Sequence, residues 1–177
     1  EDYRKGGDLL IKALKIIKTK KSSDYLSKIQ IIIFGQESSN EVFIDNFNIT
    51  FLGKINNDEI LRNYYSASDV FVLPSRIDNL PGTGIEAHSC GTPLVAFDVG
   101  GLSEIIENNI TGYLVKPFDV ESFAERILTT INTKTINKKM GIAARKRATL
   151  LWDQKIISKK YYQLYSEIYN TSLEWKS

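Results

Sequence analysis

The sequence predicts an α/β fold, a doubly wound parallel sheet followed by extra C-terminal helices. Short apolar runs alternate with segments whose apolar residues recur at helical spacing, from the start of the chain to its end. One run, residues 29–34, is apolar except for a single Gln, which is typical of a strand buried on both faces. Strands separated by helices imply right-handed crossovers and a parallel sheet covered on both sides. At 177 residues the chain fits one domain.

The order of the elements follows from apolar spacing and from capping residues. Strands are predicted at residues 29–34, 49–52, 70–73, 94–97 and 113–115. Helices are predicted at residues 8–18, 59–67, from about 82 to 90, along an apolar stripe from 120 to 131, and at 137–151 and 154–169. Asn57 or Asp58 is expected to cap the second helix, and Gly91 to end the third. The last helix is expected to turn five side chains inward: Ile157, Tyr161, Leu164, Tyr165 and Ile168.

No strand is predicted before the first helix, because polar residues lead directly into it. In a doubly wound sheet that first strand is the central one. We therefore expect that the sequence is a piece of a longer protein. An incomplete sheet, or one that borrows a strand, is the alternative.

Charge and composition exclude several classes of protein. The net charge is only +2 and the basic residues are not interleaved with aromatic ones, so nucleic acid is not an expected partner. Cys90 and His88 are the only residues of their types, which leaves no internal disulfide and no Cys/His zinc site. No apolar run approaches the roughly 20 residues that span a bilayer. We expect a cytoplasmic protein.

Basic residues are concentrated between positions 134 and 160, where Asp153 is the only acid. They are Lys134, Lys138, Lys139, Arg145, Lys146, Arg147, Lys155, Lys159 and Lys160. A solvated helix face explains such a run. Peripheral contact with the inner face of a membrane, or with an acidic acceptor, is the alternative.

Residues 74–84 form a Gly/Pro-rich loop between a predicted strand and a helix. Pro81 suits a first helical turn, and the glycines that follow let backbone N–H groups approach an anion at the positive end of the helix. Asp78 in the loop and Glu86 in the helix are separated by seven residues, and both can accept hydrogen bonds from sugar hydroxyls. A nucleotide-sugar pocket is one interpretation; ordinary turn chemistry before a helix is the other.

The wider pattern resembles the donor-binding domain of the retaining glycosyltransferases of family 4, also called group 1. Their acid-x7-acid motif corresponds to Asp78 and Glu86, and the following stretches to Ala87, Cys90-Gly91-Thr92-Pro93, Leu94-Val95-Ala96, Gly100-Gly101 and Glu104. Upstream, Arg4-Lys5-Gly6 with Asp8-Leu9-Leu10 is similar to K-G-x-D-L-L, and Phe51-Leu52-Gly53 and Tyr64-Tyr65-Ser66-Ala67-Ser68-Asp69 are similar to F-x-G and Y-x-x-A-D. Residues 108–115 resemble N-x-x-x-G-x-L-V, and Trp152 occupies a late aromatic position.

This resemblance implies a Rossmann-like domain that is one half of a GT-B fold and that works with an N-terminal acceptor domain not contained in the chain. The expected partners are a nucleoside diphosphate sugar and a glycan or lipid-linked acceptor, as in polysaccharide assembly. No metal and no cofactor are expected. Here the first acid is Asp instead of the usual Glu, and Asn79-Leu80-Pro81 replaces a common Gly-Phe-Gly.

The resemblance also implies roles for individual residues. Asp78 and Glu86 form the catalytic pair, Asp78 at the donor sugar and Glu86 at the ribose. The expected substrate-binding residues are Arg4 and Lys5 at the diphosphate, Gly53, Lys54 and Ile55 at the base, and Asn79, Leu80, Pro81, Gly82 and Thr83 at the distal phosphate. Without the resemblance, Lys5 reads as an ordinary surface lysine.

Three further residues have simpler interpretations. His88 has small or apolar neighbours and is expected to be packed, with a catalytic role as the alternative. Glu104 is expected to favour a helix start through the dipole, and Cys90 to be an inert buried thiol. A non-catalytic nucleotide-binding or interaction module, a sugar epimerase and a phosphorylase remain alternative functions. A dehydrogenase is excluded, because no G-x-G-x-x-G follows a strand.

Overall fold

The computed structural model describes residues 3–35 and 46–174. Its strands are β1 (Gln30–Ile33), β2 (Asn48–Phe51), β3 (Phe71–Leu73), β4 (Leu94–Phe97) and β5 (Gly112–Val115). A 3₁₀ turn, Tyr3–Lys5, precedes helices α1 (Gly7–Lys20), α2 (Ser23–Leu26), α3 (Asp58–Ala67), α4 (Gly82–Ser89), α5 (Leu102–Ile105), α6 (Val120–Asn132), α7 (Lys134–Trp152) and α8 (Gln154–Glu174). Every predicted strand and helix is present, and α2 is a short helix that the sequence did not predict.

All strand pairings are parallel, but the strands form two sheets instead of the single sheet that we expected. β1 pairs with β2, while β4 lies between β3 and β5. Within the described residues no strand lies between β1 and β3, the position where a doubly wound order has its first strand. β4 is buried at all four positions, whereas no residue of β1 is fully buried.

Both faces of the β3–β5 sheet are covered by helices, as the sequence predicted. Alternate residues of β4 enter two different clusters. Val95 and Phe97 pack with α1 and α6 on one face. Leu94 and Ala96 pack with α3 and α5 on the other. Because both sets of alternate side chains in β4 are buried, the apolar run that predicted this strand reflects burial on both faces of the sheet.

Local signals in the sequence set the ends of several helices. The Asn57 side chain accepts a hydrogen bond from the Ile60 amide at 3.0 Å and so caps α3, as predicted. Gly91 follows the end of α4 with φ 79°, the left-handed conformation predicted for a glycine that stops a helix. The α6 stripe is also confirmed, with Phe123, Ala124 and Ile127 buried.

The prediction that the last helix turns its apolar stripe inward was wrong. Tyr161, Leu164, Tyr165 and Ile168 of α8 are about half exposed or more, and Ile157 is only partly buried. Helical spacing shows that one face of a helix is apolar, but it cannot show whether another element covers that face. Within the described part of the chain, no helix combines the length and the apolar character needed to cross a membrane.

The basic run of α7 and α8 is mostly solvated. Eight of its nine side chains are exposed: Lys134, Lys138, Lys139, Arg145, Lys146, Lys155, Lys159 and Lys160. Arg147 is the exception. It donates to the carbonyl oxygens of Ile105 and Glu104 at 2.9 and 2.8 Å, so this cation fastens α7 to α5.

Candidate functional site

The candidate site lies at the carboxyl ends of β3 and β4, where residues 74–81 connect β3 to α4. The turn after β4 supports this loop by direct backbone contact. A Cβ on Gly100 would stand 1.8 Å from the carbonyl oxygen of Asp78, and one on Gly101 would stand 2.0 Å from that of Asn79. Only glycine allows the two backbones to come this close. The G-G pair of the sequence motif therefore holds the loop in place.

The N-terminal segment supports the other end of the same loop. The backbone amide of Arg76 donates to the Arg4 carbonyl oxygen at 2.8 Å. The Arg76 guanidinium binds both carboxylate oxygens of Asp8 at 2.6 Å and lies over the ring of Tyr3. The hydrogen bond from Arg76 holds the pKa of Asp8 below its ordinary value. Two distant parts of the chain are thus joined beside the loop.

An ion pair joins Lys5, at the end of the N-terminal 3₁₀ turn, to Asp78 in the loop. Lys5 Nζ lies 2.8 Å from Asp78 Oδ2, and the buried hydroxyl of Ser75 lies 3.4 Å from the same oxygen. The Asp78 side chain is 13% exposed and that of Lys5 is 62% exposed. The acid is therefore fixed within the loop, while the ammonium group reaches it from the solvent side.

The start of α4 has backbone N–H groups without a side-chain cap. Pro81 occupies the capping position and has no side-chain acceptor. The amides of Gly84 and Ile85 donate to the Pro81 carbonyl oxygen, so those of Gly82 and Thr83 precede the first bonded turn. The Cα of Gly84 instead faces the core, where an added Cβ would stand 3.1 to 3.4 Å from Leu94, Leu73 and Ile105 side chains. Gly84 thus serves helix packing and not ligand approach, in contrast to our expectation.

Glu86 lies one turn into α4 with one carboxylate oxygen engaged. The Tyr65 hydroxyl donates to Glu86 Oε2 at 2.9 Å. The second oxygen, Oε1, lies toward the helix start, 3.9 Å from where a Cβ on Gly82 would stand. Burial, together with the adjacent Glu86, raises the pKa of Tyr65. The phenol therefore stays protonated and is the donor in this bond.

The expected base-binding segment, Gly53 with Lys54 and Ile55, follows the carboxyl end of β2. The Gly35 amide donates to the Gly53 carbonyl oxygen at 2.7 Å, which joins the ends of β1 and β2. The structure brings Lys5 together with Asp78 and brings Gly82 together with Glu86. Among the described residues it gives no hydrogen bond or ion pair between these two groups, or between either group and Gly53.

His88 is packed in the core, as expected, at 1% exposure. Burial lowers its pKa to about 4, and the charge of Arg147 acts in the same direction. Its Nε2 has no hydrogen-bond partner among the described residues. Glu104 lies in the first turn of α5, as predicted, whereas Cys90 is only partly buried. Residues 3–35 and 46–174 contain no cluster of three or more acidic, His or Cys side chains suited to a metal ion.

Two residues of the site had no role in the sequence interpretation. Arg76 is the only cation between Pro74 and Asp78, and its position in the loop could have indicated a role in the site. Tyr65 falls within one of the recognised motifs, but its partner Glu86 is 21 residues away. No local pattern predicts a contact of that separation.

Comparison with known proteins identifies the family of the chain. The sequence profile of the family described as "Glycosyl transferases group 1" matches residues 2–147. The chain belongs to this family. The family inferred from the motifs is therefore confirmed.

Two relatives show how the chain compares with longer group 1 proteins. Over 176 residues it is 28% identical to the capsular polysaccharide biosynthesis glycosyltransferase CapM of Staphylococcus aureus, covering 96% of this chain and 44% of CapM. The structure of sucrose-phosphate synthase from Thermosynechococcus elongatus superposes with a TM-score of 0.77 at 27% identity, covering 96% of this chain and 44% of that one. The chain spans less than half the length of both relatives.

A third protein shares the fold at lower identity. HepE from Anabaena, solved in complex with UDP-glucose, gives a TM-score of 0.77 at 22% identity, covering 94% of this chain and 46% of HepE. These glycosyltransferase structures confirm the α/β, Rossmann-like architecture, including its place as one half of a GT-B fold.

Proposed function

We propose that this group 1 chain is the donor-binding domain of a glycosyltransferase and binds a nucleoside diphosphate sugar beside α4. The observation that carries the proposal is the uncapped start of this helix. The Gly82 and Thr83 amides precede the first bonded turn there, and Glu86 Oε1 lies 3.9 Å from where a Cβ on Gly82 would stand. The loop that holds Asp78 ends at the same point. Free N–H groups and the positive end of the helix dipole favour a diphosphate. The UDP-glucose bound to HepE makes a uridine nucleotide the first candidate.

In this proposal each group of residues around the loop contacts a different part of the donor. Glu86 accepts hydrogen bonds from the ribose hydroxyls, and Asp78 from hydroxyls of the donor sugar. The Gly82 and Thr83 amides, with those of Asn79 and Leu80, bind the distal phosphate, and Pro81 fixes their direction. Gly53, Lys54 and Ile55 receive the base through their main chain.

In this proposal Lys5 leaves its carboxylate partner, Asp78, and pairs with the diphosphate when the donor binds. Lys5 is paired with Asp78 in the structure, and its side chain is largely exposed. A diphosphate attracts the ammonium group more strongly than a single carboxylate does, because it carries more charge. Lys5, together with Arg4, then contacts the phosphates, and Asp78 becomes free for sugar hydroxyls.

The proposed reaction transfers the sugar with retention at its anomeric carbon and without a metal ion. As the bond from the anomeric carbon to the diphosphate breaks, positive charge develops on the sugar ring and negative charge on the leaving oxygen. The α4 dipole and Lys5 stabilise that negative charge, which is where fixed dipoles and cations contribute most to rate.

The acceptor and its site belong to the longer protein in this proposal. CapM is more than twice as long as the matched region, which leaves room for an N-terminal acceptor domain. CapM acts in capsular polysaccharide biosynthesis, and this supports a glycan or lipid-linked acceptor here. The exposed lysines of α7 and α8 suit peripheral contact with the inner face of a membrane from the cytoplasm.

Titration calorimetry of the 177-residue chain tests donor binding. We expect weak binding of UDP, GDP or ADP or of their sugar conjugates, and no transfer by the chain alone. Glu86→Ala should weaken binding about tenfold, since a hydrogen-bond acceptor to a ribose is lost. Glu167→Ala, which removes an exposed carboxylate from α8, is the matched control and should leave binding unchanged.

Two outcomes would contradict the proposal. The first is that none of these nucleotides binds at millimolar concentration, which would reject the proposed donor site. The second is undiminished transfer by the Glu86→Ala variant of the full-length protein, which would reject the role of that carboxylate.

A further inference from the structure

Tyr65 is a buried tyrosine whose hydroxyl is held in one direction. Its ring makes edge-to-face contacts with Phe34 and Phe71, with centroids 5.6 and 5.2 Å apart. The Thr92 hydroxyl, itself buried, donates to the Tyr65 carbonyl oxygen at 2.6 Å. At 2% exposure the tyrosine has no room to change its rotamer without disturbing the rings of Phe34 and Phe71. The position of the phenol hydroxyl beside α4 is therefore fixed.

Glu86 is the flexible member of the Tyr65–Glu86 pair. Glu86 is exposed and its side chain has three rotatable bonds, so without a partner its carboxylate would sample several positions. The Tyr65 hydroxyl can only donate to it, because an ionised carboxylate has no proton to offer. The bond is charge-assisted, which makes it stronger than one between two neutral groups.

The bond to Oε2 determines where Oε1 lies. Among residues 3–35 and 46–174 the only hydrogen bond to the Glu86 carboxylate is the one from Tyr65. Oε1 is left near Gly82, where the helix has its unbonded amides. A ligand whose phosphate meets those amides thus finds this oxygen already in position for its neighbouring hydroxyls.

We infer that Tyr65 is a positioning residue for the nucleotide site: it fixes the Glu86 carboxylate in the orientation that accepts hydrogen bonds from the ribose. This inference rests on the proposed function, because it takes the ribose as the ligand of Glu86. Tyr65 touches no ligand itself. Its contribution is that the carboxylate does not have to be ordered when the nucleotide binds.

The test is the Tyr65→Phe variant of the 177-residue chain, which deletes the hydroxyl and keeps the ring among its aromatic neighbours. Titration calorimetry with UDP should give a dissociation constant about tenfold higher than that of the unchanged chain. With 2′,3′-dideoxyuridine diphosphate, which lacks both ribose hydroxyls, the variant and the unchanged chain should bind equally. A purely structural role for Tyr65 would weaken both ligands alike.

Two further variants complete the design. Tyr25→Phe deletes another hydroxyl that is hydrogen-bonded to a side chain, that of Asn132 at the end of α6, and should not change UDP binding. In the Glu86→Ala background the Tyr65→Phe change should have no additional effect on UDP affinity, because the carboxylate that Tyr65 positions is absent. Thermal unfolding of each variant identifies any loss of folded protein.

The outcomes separate this inference from the proposed function. If Glu86→Ala weakens UDP binding but Tyr65→Phe binds UDP within twofold of the unchanged chain, the role of Tyr65 is rejected and the donor site stands. If Tyr65→Phe weakens UDP and the dideoxy analogue equally, its role is structural and the inference is also rejected. If the unchanged chain binds no nucleotide, both proposals fall together.

Discussion

Among single residues, the buried histidine of α4 couples folding to pH. In the folded chain the pKa of His88 is lowered to about 4 by burial, while an unfolded histidine has a pKa near 6.5. Between these values the unfolded chain binds the proton first, so the free energy of unfolding falls as pH falls. Above about pH 6.5 both states are neutral at this residue and its contribution is fully present.

Urea unfolding at pH 7.5 and at pH 5.0 measures this effect. We expect the unchanged chain to lose about 2 kcal/mol of unfolding free energy over that interval from this histidine. The His88→Leu variant cannot take up the proton and should show a pH dependence smaller by this amount. Equal losses in the two proteins would show that His88 does not titrate as its burial implies.

The sequence predicted the environment of single residues better than their partners. His88 was expected in the core because small and apolar residues surround it, and it is there. By contrast, the contacts of Tyr65 with Glu86 and of Arg76 with Asp8 join residues 21 and 68 positions apart. Such pairs depend on how helices pack, and no local pattern records that.

Among elements, the turn between β4 and α5 has the strictest requirement for glycine. In Gly100→Ala the new Cβ would meet the Asp78 carbonyl oxygen at 1.8 Å, and the residue would keep a φ of 54° that disfavours a side chain. The loop of residues 74–81 must then move away from the turn. We expect a loss of more than about 3 kcal/mol of unfolding free energy, together with weaker nucleotide binding.

Gly35→Ala is the matched control for that variant. Gly35 has a similar left-handed φ of 83°, but a Cβ there would meet no atom of residues 3–35 or 46–174 within 4 Å. Only the backbone cost remains, about 1 kcal/mol. Equal losses of stability in the two variants would mean that the contact with Asp78 does not hold the loop.

All the strands and the longer helices were predictable because each has a local signal, whereas the four-residue α2 was not predicted. Asn57 and Gly91 mark the ends that the structure shows, and alternating burial explains the apolar run of β4. The exposed stripe of α8 was not predictable. Residues such as Tyr161 and Ile168 have the same spacing as the buried stripe of α6, and only the presence of a covering element distinguishes the two helices.

Across the whole molecule, the division into two sheets predicts uneven protection of backbone amides. β4 has hydrogen-bonded neighbours on both sides, whereas β1 pairs with β2 alone within the described chain. Hydrogen exchange of the 177-residue chain should therefore be about ten- to a hundredfold slower in β4 than in β1. Equal protection of the two strands would indicate that the two sheets open as one unit.

The backbone contacts that fix the loop leave its exposed side chains free to vary. The loop is held through carbonyl oxygens of Pro74, Asp78 and Asn79, which meet glycines, while the side chains of Ile77 and Leu80 are exposed. Replacing those exposed groups changes what a bound sugar would meet without disturbing the frame beneath. A library randomised at positions 77, 79 and 80 should thus yield mostly folded variants, and new donor preferences are best sought there by selection.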